Sequence, residues 1–369
     1  MTALRELVQH NPGAWLAAGG FVIGALFGGL VFRTNFCTMG AISDFMNFGD
    51  YRRFRAWLLA AATALALTQW LDAAGVVPLG RSMYLSPQLN WFGNIAGGAM
   101  FGIGMVFAGG CASRNLTRAG AGDIRSLLVL IVMGLVAYMS IGGILGPARS
   151  WIERTTSIDL AAFKLATQGL GEVLGVLARI GPAAGNIVAA ALCLVGIAFY
   201  CFKDTGFRSS RPHVLSGIGI GLCVAAGWAL TGLAFDDLAD KPTSPISLTF
   251  VRPTADSIDW LQRYTAGPMP GFGAATVFGV MFGAFVVAIA MGRFRWSTFS
   301  DVGDTTRCLF GAVLMGIGGV FALGCTVGQA ITGLSTLAAG SFLTFAAIVA
   351  GGFCGLRMLE RWLMTEVEG

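Results

Sequence analysis

The chain has 369 residues, of which 55% are apolar and 12% are charged, and its mean hydropathy is +0.73. This composition excludes a soluble domain with a charged surface and predicts an all-α polytopic membrane protein with a single transmembrane domain, residues 1–369. The formal net charge of +5, from 24 Lys and Arg against 19 Asp and Glu, reflects loop orientation in such a chain and predicts no nucleic-acid partner.

Nine apolar stretches follow one another along the chain, each close to the ~20 residues that a helix needs to cross a bilayer. They are Ala14–Phe32, Phe54–Val77, Trp91–Gly110, Ile124–Gly146, Ala184–Phe202, Pro212–Leu233, Phe272–Gly292, Cys308–Gly324 and Ala338–Leu363. The pattern therefore predicts about nine transmembrane helices.

Three more polar segments separate some of these stretches. Thr34–Asp50 is too short and too polar to span, and it predicts a short re-entrant helix that carries Cys37. Pro147–Pro182 is a longer connection, in which an interfacial helix is predicted around Ile158–Thr167. Ala234–Gly271 contains five prolines, which predict an ordered extended loop rather than a helix.

The lysines and arginines of alternate loops indicate the orientation of the chain. Fifteen of these residues lie on the side that carries the C-terminus. The other nine, which include Lys241, lie on the opposite side. The positive-inside rule then predicts an outside N-terminus and a cytoplasmic C-terminus.

An internal repeat links two of the apolar stretches. Gly102–Cys111 and Gly316–Cys325 agree at eight of ten positions without a gap, and Asn115 then corresponds to Gln329. Shared membrane-helix composition can produce such agreement, but a match that includes the cysteine favours duplication. These are the third and eighth predicted spans, so the two copies run in opposite directions, as in an inverted repeat. The predicted first half, linker with the fifth span, and second half are 14–146, 147–211 and 212–363.

A second recurring pattern, Cys-Thr-x-Gly, occupies Cys37–Gly40 and Cys325–Gly328. A threonine at the start of a short helix can cap its free amides, as Ser113 could after Cys111, and a glycine lets the backbone approach a ligand. Such a break places unpaired N–H groups and a positive helix end within the membrane, where an anion would satisfy them. The candidate anion contacts are Thr38, Gly40, Ser113, Asn115, Thr326, Gly328 and Gln329. The amides of Asn115 and Gln329 could instead link neighbouring helices.

The thiols of Cys37, Cys111 and Cys325 are the predicted lining of a substrate path. A thiol is weakly polar, and its S–H group is a weak donor suited to a soft sulfur acceptor, so a sulfur-containing anion is the predicted ligand. The other cysteines are assigned buried apolar roles: Cys193, Cys201, Cys223, Cys308 and Cys354. No C-x-x-C spacing occurs and the chain has two histidines, so neither a metal site nor a cofactor is predicted.

The segments Phe36–Ala41, Gly109–Leu116 and Gly324–Gln329 resemble the YeeE/YedE family of sulfur-transport membrane proteins, and the resemblance extends over nearly the whole chain. It implies uptake of thiosulfate across the cell inner membrane into the cytoplasm, for use in sulfur metabolism. The three cysteines would then form a relay that passes the anion along a central path through weak S–H···S contacts. The resemblance also implies a cytoplasmic sulfur carrier of the TusA type as a partner.

Two other functions are consistent with the same residues. A membrane sulfurtransferase or thiol–disulfide exchange enzyme would use cysteine chemistry, but reactive thiols usually need a nearby base or cation, and the cysteine segments contain no histidine. A permease for another sulfur or selenium oxyanion would use the same motifs. A G-x-x-x-x-G-K-[ST] loop does not occur, which argues against ATP as the direct energy source in this chain.

Overall fold

The computed structural model describes residues 2–237, 244–299 and 301–368. Lys241 and Pro242, which contribute to the predictions for loop charge and for the second long connection, lie outside these described residues. The described part contains sixteen α-helices and one short antiparallel pair of strands. The fold is all-α, as predicted.

The helices are α1 (Thr2–His10), α2 (Pro12–Thr34), α3 (Thr38–Phe48), α4 (Arg52–Ala73), α5 (Trp91–Phe107), α6 (Ala112–Gly120), α7 (Ile124–Ile141), α8 (Gly146–Thr156), α9 (Leu170–Ala178), α10 (Pro182–Phe202), α11 (Thr205–Ser209), α12 (Arg211–Ala234), α13 (Val251–Gln262), α14 (Phe272–Ala290), α15 (Val302–Phe321) and α16 (Ala339–Glu368). The strands are β1 (Gln88–Leu89) and β2 (Ile158–Asp159), paired with Gln88 opposite Asp159. Four short 3₁₀ turns and one π-helical turn complete the regular structure: Leu79–Arg81, Met83–Leu85, Leu160–Phe163, Tyr264–Ala266 and Gly328–Gly333.

Nine helices of the described part have 17 residues or more, and they coincide with the nine predicted spans. Seven stretches are long and apolar enough to cross a membrane: Pro12–Phe48, Trp91–Gly120, Ile124–Ile141, Pro182–Phe202, Arg211–Ala234, Phe272–Ala290 and Ala339–Trp362. The other two long helices are α4 and α15, which carry arginines in their first two turns. The chain is therefore a multi-pass membrane protein.

The two long connections differ from their predictions. The interfacial helix predicted around Ile158–Thr167 is wrong, because these residues form β2 and a 3₁₀ turn while the helices of this connection, α8 and α9, lie on either side. The loop predicted for Ala234–Gly271 contains the twelve-residue helix α13. Pro253 is the third residue of α13, where a missing N–H breaks no intrahelical bond, so proline is tolerated there.

Glycines bring helix backbones into direct contact. Gly24 and Gly28 of α2 face Thr276 and Val280 of α14, so the two helices run parallel. A Cβ atom at Gly28 would lie 2.1 Å from the carbonyl oxygen of Val280, so a larger residue requires the backbones to separate. Small residues at such crossings allow membrane helices to pack closely.

The buried helices α5 and α15 run antiparallel. Gly97 of α5 lies against Gly318 of α15, and Gly104 lies against Gly311. The end of α5 is therefore beside the start of α15, and the end of α15 is beside the start of α5. This arrangement places the chain breaks that follow the two helices on opposite sides of the protein.

The long helices pack in pairs that recur. α2 packs on α14 as α12 packs on α4, and α5 packs on α16 as α15 packs on α7. The short helices follow the same scheme, since α3 packs on α4 and α16 while α13 packs on α14 and α7.

We call the side on which α2 begins the N-terminal side, and the side on which α2 ends the C-terminal side.

Candidate functional site

Cys37 lies at the break between α2 and α3. Its backbone is extended (φ −155°, ψ 129°), and its Sγ atom accepts a hydrogen bond from the N–H of Gly40 at 3.4 Å. The cysteine therefore caps α3, and the predicted threonine cap is wrong here. Thr38 is the first residue of the helix, and its buried Oγ1 atom has no partner among the described residues.

Cys325 lies at the break after α15 and repeats this arrangement. Its Sγ atom accepts a hydrogen bond from the N–H of Gly328 at 3.4 Å, and the buried Oγ1 atom of Thr326 again has no partner within the described chain. Thr249 Oγ1 lies 3.9 Å from the sulfur. The turn that follows is π-helical over Gly328–Gly333, a form that often occurs at functional sites.

Cys111 lies at the break between α5 and α6 and differs from the other two cysteines. Gly109 and Gly110 adopt φ angles of 71° and 158°, which favour glycine, and they redirect the chain between the helices. No side chain caps α6. The Cys111 Sγ atom instead pairs with Ser113 Oγ at 3.3 Å, so Ser113 does not take the predicted capping role.

The structure brings the three predicted thiols into one buried region. The exposed fractions of Cys37, Cys111 and Cys325 are 8%, 1% and 0%. Cys111 lies within electrostatic interaction range of both other cysteines. The guanidinium groups of Arg114 and Arg53 lie within the same range of Cys37. Cys111 is therefore the cysteine that interacts with both others; the breaks at Cys37 and Cys111 lie on the C-terminal side, and the break at Cys325 lies on the N-terminal side.

Asn115 and Gln329 hold the ends of the broken helices. Asn115 Nδ2 donates to the carbonyl oxygens of Gly110 at 2.8 Å and Cys111 at 3.3 Å. Gln329 Nε2 donates to the Ala322 carbonyl at 2.6 Å, and its Oε1 atom accepts from Ser341 Oγ at 2.6 Å. These bonds favour the linking role over the donation of hydrogen bonds to an anion.

A cavity of about 590 Å³ opens on the N-terminal side and reaches the Cys325 break. Its lining includes Thr249, Val251 and Gly324 near the cysteine, and Arg149 and Arg252 among its charged residues. We call this cavity the N-side vestibule. The sequence interpretation did not identify Thr249 or Val251.

One sequence signal points to the vestibule residues. The offset that pairs Cys111 with Cys325 also pairs Phe36 with Phe250 and Cys37 with Val251. Val251 is the first residue of α13, and Thr38, directly after Cys37, is the first residue of α3. The match is too short to be detected by sequence comparison alone, because few other residues agree.

Charged groups crowd the C-terminal side next to Cys111. Arg118 donates to the Gly109 carbonyl at 3.1 Å and pairs with Asp123 at 2.6 Å, and Asp123 also pairs with Arg125. Burial alone would raise the pKa of the Asp123 carboxyl, but the charges of Arg118 and Arg125 outweigh burial and hold that pKa below its ordinary value. Arg125 also pairs with Asp304 of α15 at 3.3 Å.

Comparison with known proteins gives consistent results. A family model described as sulphur transport matches residues 33–354, which include all three cysteine breaks. A protein of Spirochaeta thermophila named thiosulfate transporter TsuA is 27% identical over 338 residues, which cover 90% of this chain and 96% of that protein. A protein of the same name from Escherichia coli K12 is 27% identical over 337 residues, covering 85% of this chain and 86% of that protein.

Proposed function

The chain belongs to the sulphur-transport family, as its resemblance to the YeeE/YedE proteins predicted, and we propose that it takes up thiosulfate across the cell inner membrane into the cytoplasm. Two full-length relatives carry the name thiosulfate transporter, which supports this substrate. Membership of a transport family also argues against the alternative of a membrane sulfurtransferase.

The observation that carries the proposal is the set of three buried thiols, each at a chain break, with the Cys37 and Cys111 breaks on the C-terminal side and the Cys325 break on the N-terminal side. Thiosulfate has a terminal sulfur atom that can accept a weak S–H hydrogen bond, whereas its oxygen atoms prefer stronger donors. Cys37 and Cys325 each accept an N–H bond at sulfur, which leaves the S–H group as a donor: that of Cys37 to a passing anion, and that of Cys325 either to Thr249 Oγ1 or to the anion. The order in the relay would be Cys325, then Cys111, then Cys37.

The proposed path begins at the N-side vestibule. Arg149 and Arg252, which are paired with Glu153 and Asp256, would attract the dianion in competition with these carboxylates, and Thr249 would receive it beside Cys325. The unpartnered hydroxyl groups of Thr326 and Thr38 could then donate to its oxygen atoms as it passes. Such buried hydroxyls are costly without a partner, so a transient ligand supplies the missing bond.

The remaining predicted residues take supporting roles in the proposal. Gly40 and Gly328 orient the two capping sulfur atoms through their N–H groups, and Ser113 orients the thiol of Cys111. Asn115 and Gln329 keep the broken helices at a fixed separation. In the proposal, the anion passes without breaking any of these hydrogen bonds.

We further propose that the molecule is an inverted repeat with its N-terminal side outside the cell. Exchanging α2 with α12, α4 with α14, α5 with α15 and α7 with α16 converts the α2–α14 pair into the α12–α4 pair, and the α5–α16 pair into the α15–α7 pair. The antiparallel contact of α5 with α15 is consistent with this exchange. A TusA-like carrier would then receive sulfur on the C-terminal side, where the cytoplasmic end of the path lies.

Uptake of ³⁵S-labelled thiosulfate into proteoliposomes tests the proposal. We expect the Cys111→Ala, Cys325→Ala double variant to lose at least about tenfold in initial rate, since each lost hydrogen bond contributes about 1 kcal/mol. Cys201→Ala is a matched control, because Cys201 is also fully buried but lies outside the breaks. A native rate in the double variant would exclude the thiol relay.

Competition by unlabelled anions identifies the substrate in the same assay. Because sulfate lacks a terminal sulfur atom, we expect excess unlabelled sulfate to reduce the uptake of labelled thiosulfate only weakly. Excess unlabelled thiosulfate should compete fully. Equal competition by sulfate, sulfite or a selenium oxyanion would favour a less selective permease.

A further inference from the structure

A small, partly open cavity lies on the C-terminal side, against the break that precedes Cys111. Its volume is about 100 Å³. Its lining combines the end of α5, one face of α6 and the starts of α7 and α15: Ala108, Gly109, Asn115, Arg118, Arg125, Ser126, Val129, Asp304, Arg307 and Cys308. We call it the C-side cavity. At about 30 Å³ per water molecule, it has room for about three waters or one small oxyanion.

Positive charge exceeds negative charge around this cavity. The lining contains the guanidiniums of Arg118, Arg125 and Arg307 and the carboxylate of Asp304. Asp123 pairs with two of these arginines from outside the lining, which still leaves three positive groups against two negative ones. These arginine side chains are 23% to 29% exposed, so water screens the excess positive charge only in part, and the excess attracts a counter-ion of opposite sign.

One donor in the lining also lacks an acceptor. Arg307 pairs with Asp304 through Nη2, but its buried Nε–H group has no hydrogen-bond partner among the described residues. The oxygens of Asp304 and the unpartnered Oδ1 atom of Asn115 are acceptors and would repel an anion. A bound anion must therefore lie on the arginine side of the cavity, where it can accept from Arg307 Nε.

We infer that the C-side cavity, beside the Cys111 break, is an anion-binding site that holds a doubly charged sulfur oxyanion on the C-terminal side of the protein. This inference rests on the proposed function. The anion competes with Asp123 and Asp304 for the arginines, because a guanidinium group can donate two parallel hydrogen bonds either to a carboxylate or to an oxyanion. Arg118 also holds the Gly109 carbonyl, so its transfer to the anion frees the backbone of the break.

Direct binding separates this site from the thiol relay. We would measure saturable binding of ³⁵S-thiosulfate to the purified full chain carrying Cys37→Ala, Cys111→Ala and Cys325→Ala. Because the cavity site uses arginines, we expect this variant to retain a binding component near native affinity even if transport is lost. Adding Arg307→Gln is expected to weaken that component at least tenfold, and Arg307→Lys to weaken it less.

Arg293→Gln is the matched control, because Arg293 is an exposed arginine on the same side of the protein and outside the cavity lining. It should leave binding unchanged. Circular dichroism and gel filtration establish that each variant is folded, and Arg118→Gln replaces Arg307→Gln if the latter does not fold. If the triple variant cannot be purified, the same arginine variants are compared in the native chain.

The outcomes for the two proposals are distinct. No saturable binding in the folded triple variant, or binding that Arg307→Gln leaves unchanged, overturns the C-side site. Native uptake by the Cys111→Ala, Cys325→Ala variant overturns the relay without affecting the binding measurement.

Discussion

The N-side vestibule and the C-side cavity adjoin equivalent chain breaks, yet they differ in size and charge. The vestibule has a volume of about 590 Å³ and reaches Cys325, whereas the C-side cavity has about 100 Å³ beside the Cys111 break. The offset that relates the two cysteines pairs Arg118 with Thr332 and Asp123 with Leu337. Thr332 makes a neutral hydrogen bond to the Leu248 carbonyl at the place where Arg118 takes part in a charged network.

This difference shows that the same type of chain break can border either a large vestibule or a small, charged cavity. Both breaks follow a glycine-rich helix and place a buried cysteine at the start of a short helical segment. The surrounding side chains leave the Cys325 break open to the N-side vestibule, whereas ion pairs surround the small cavity beside the Cys111 break. In the proposed transport direction, the vestibule side accepts the anion and the charged side controls its release.

The largest effect is expected on the charged side. Asp123→Asn leaves Arg118 without its carboxylate partner and Arg125 with Asp304 alone, and breaking a buried ion pair typically destabilises a protein by about 3 kcal/mol or more. We expect a clearly lower melting temperature in detergent. Asp237→Asn should change it little, since the Arg81–Asp237 pair is largely exposed. Similar melting temperatures for the two variants would show that the network does not stabilise this side.

An intermediate effect is expected on access from the vestibule. Ser244→Cys places an exposed thiol in the vestibule lining, so a membrane-impermeant thiol reagent added outside should modify it at least about tenfold faster than the buried Cys111. The measurement is peptide mass spectrometry of sealed, right-side-out vesicles at successive times. Faster modification of Cys111 than of the new cysteine would reverse the assignment of the two sides.

The smallest effect is expected from the threonine beside Cys325. Thr249→Val keeps the shape of the side chain but removes the hydroxyl that lies 3.9 Å from the sulfur. Because hydrogen bonds to sulfur are weak, the initial uptake rate should fall only about two- to threefold. Thr63→Val is the control, since Thr63 Oγ1 bonds only to the Leu59 carbonyl of its own helix. Equal effects of the two substitutions would place Thr249 outside the path.

Apolar length and repeated motifs were sufficient to predict the nine long helices and the three cysteine breaks. The capping groups were harder to predict, because cysteine and threonine are adjacent and the backbone angles decide which side chain faces the free N–H groups. Cys37 has the extended angles of a cap, and Thr38 already belongs to the helix. Composition alone does not distinguish these two positions.

Long-range pairs could not be predicted from local sequence. Arg125 and Asp304 are 179 positions apart and meet only because α7 packs beside α15. Similarly, the prolines between α12 and α14 indicated a loop, but Pro253 occupies the first turn of α13, where it is compatible with a helix. Tertiary packing, which local patterns do not encode, determined the first outcome, whereas the second depended on where within the helix the proline falls.

The glycine contacts between helices also limit how the molecule can move. At Gly28 and Val280 the backbones of α2 and α14 are too close to admit even a methyl group, and Gly104 and Gly311 bring α5 and α15 similarly close. Interlocked backbones of this kind resist sliding, so large rocking motions of one half against the other would disrupt many contacts at once. Turnover should therefore depend on small local displacements of side chains and of the glycine hinge at Gly109–Gly110, within a frame that stays nearly rigid.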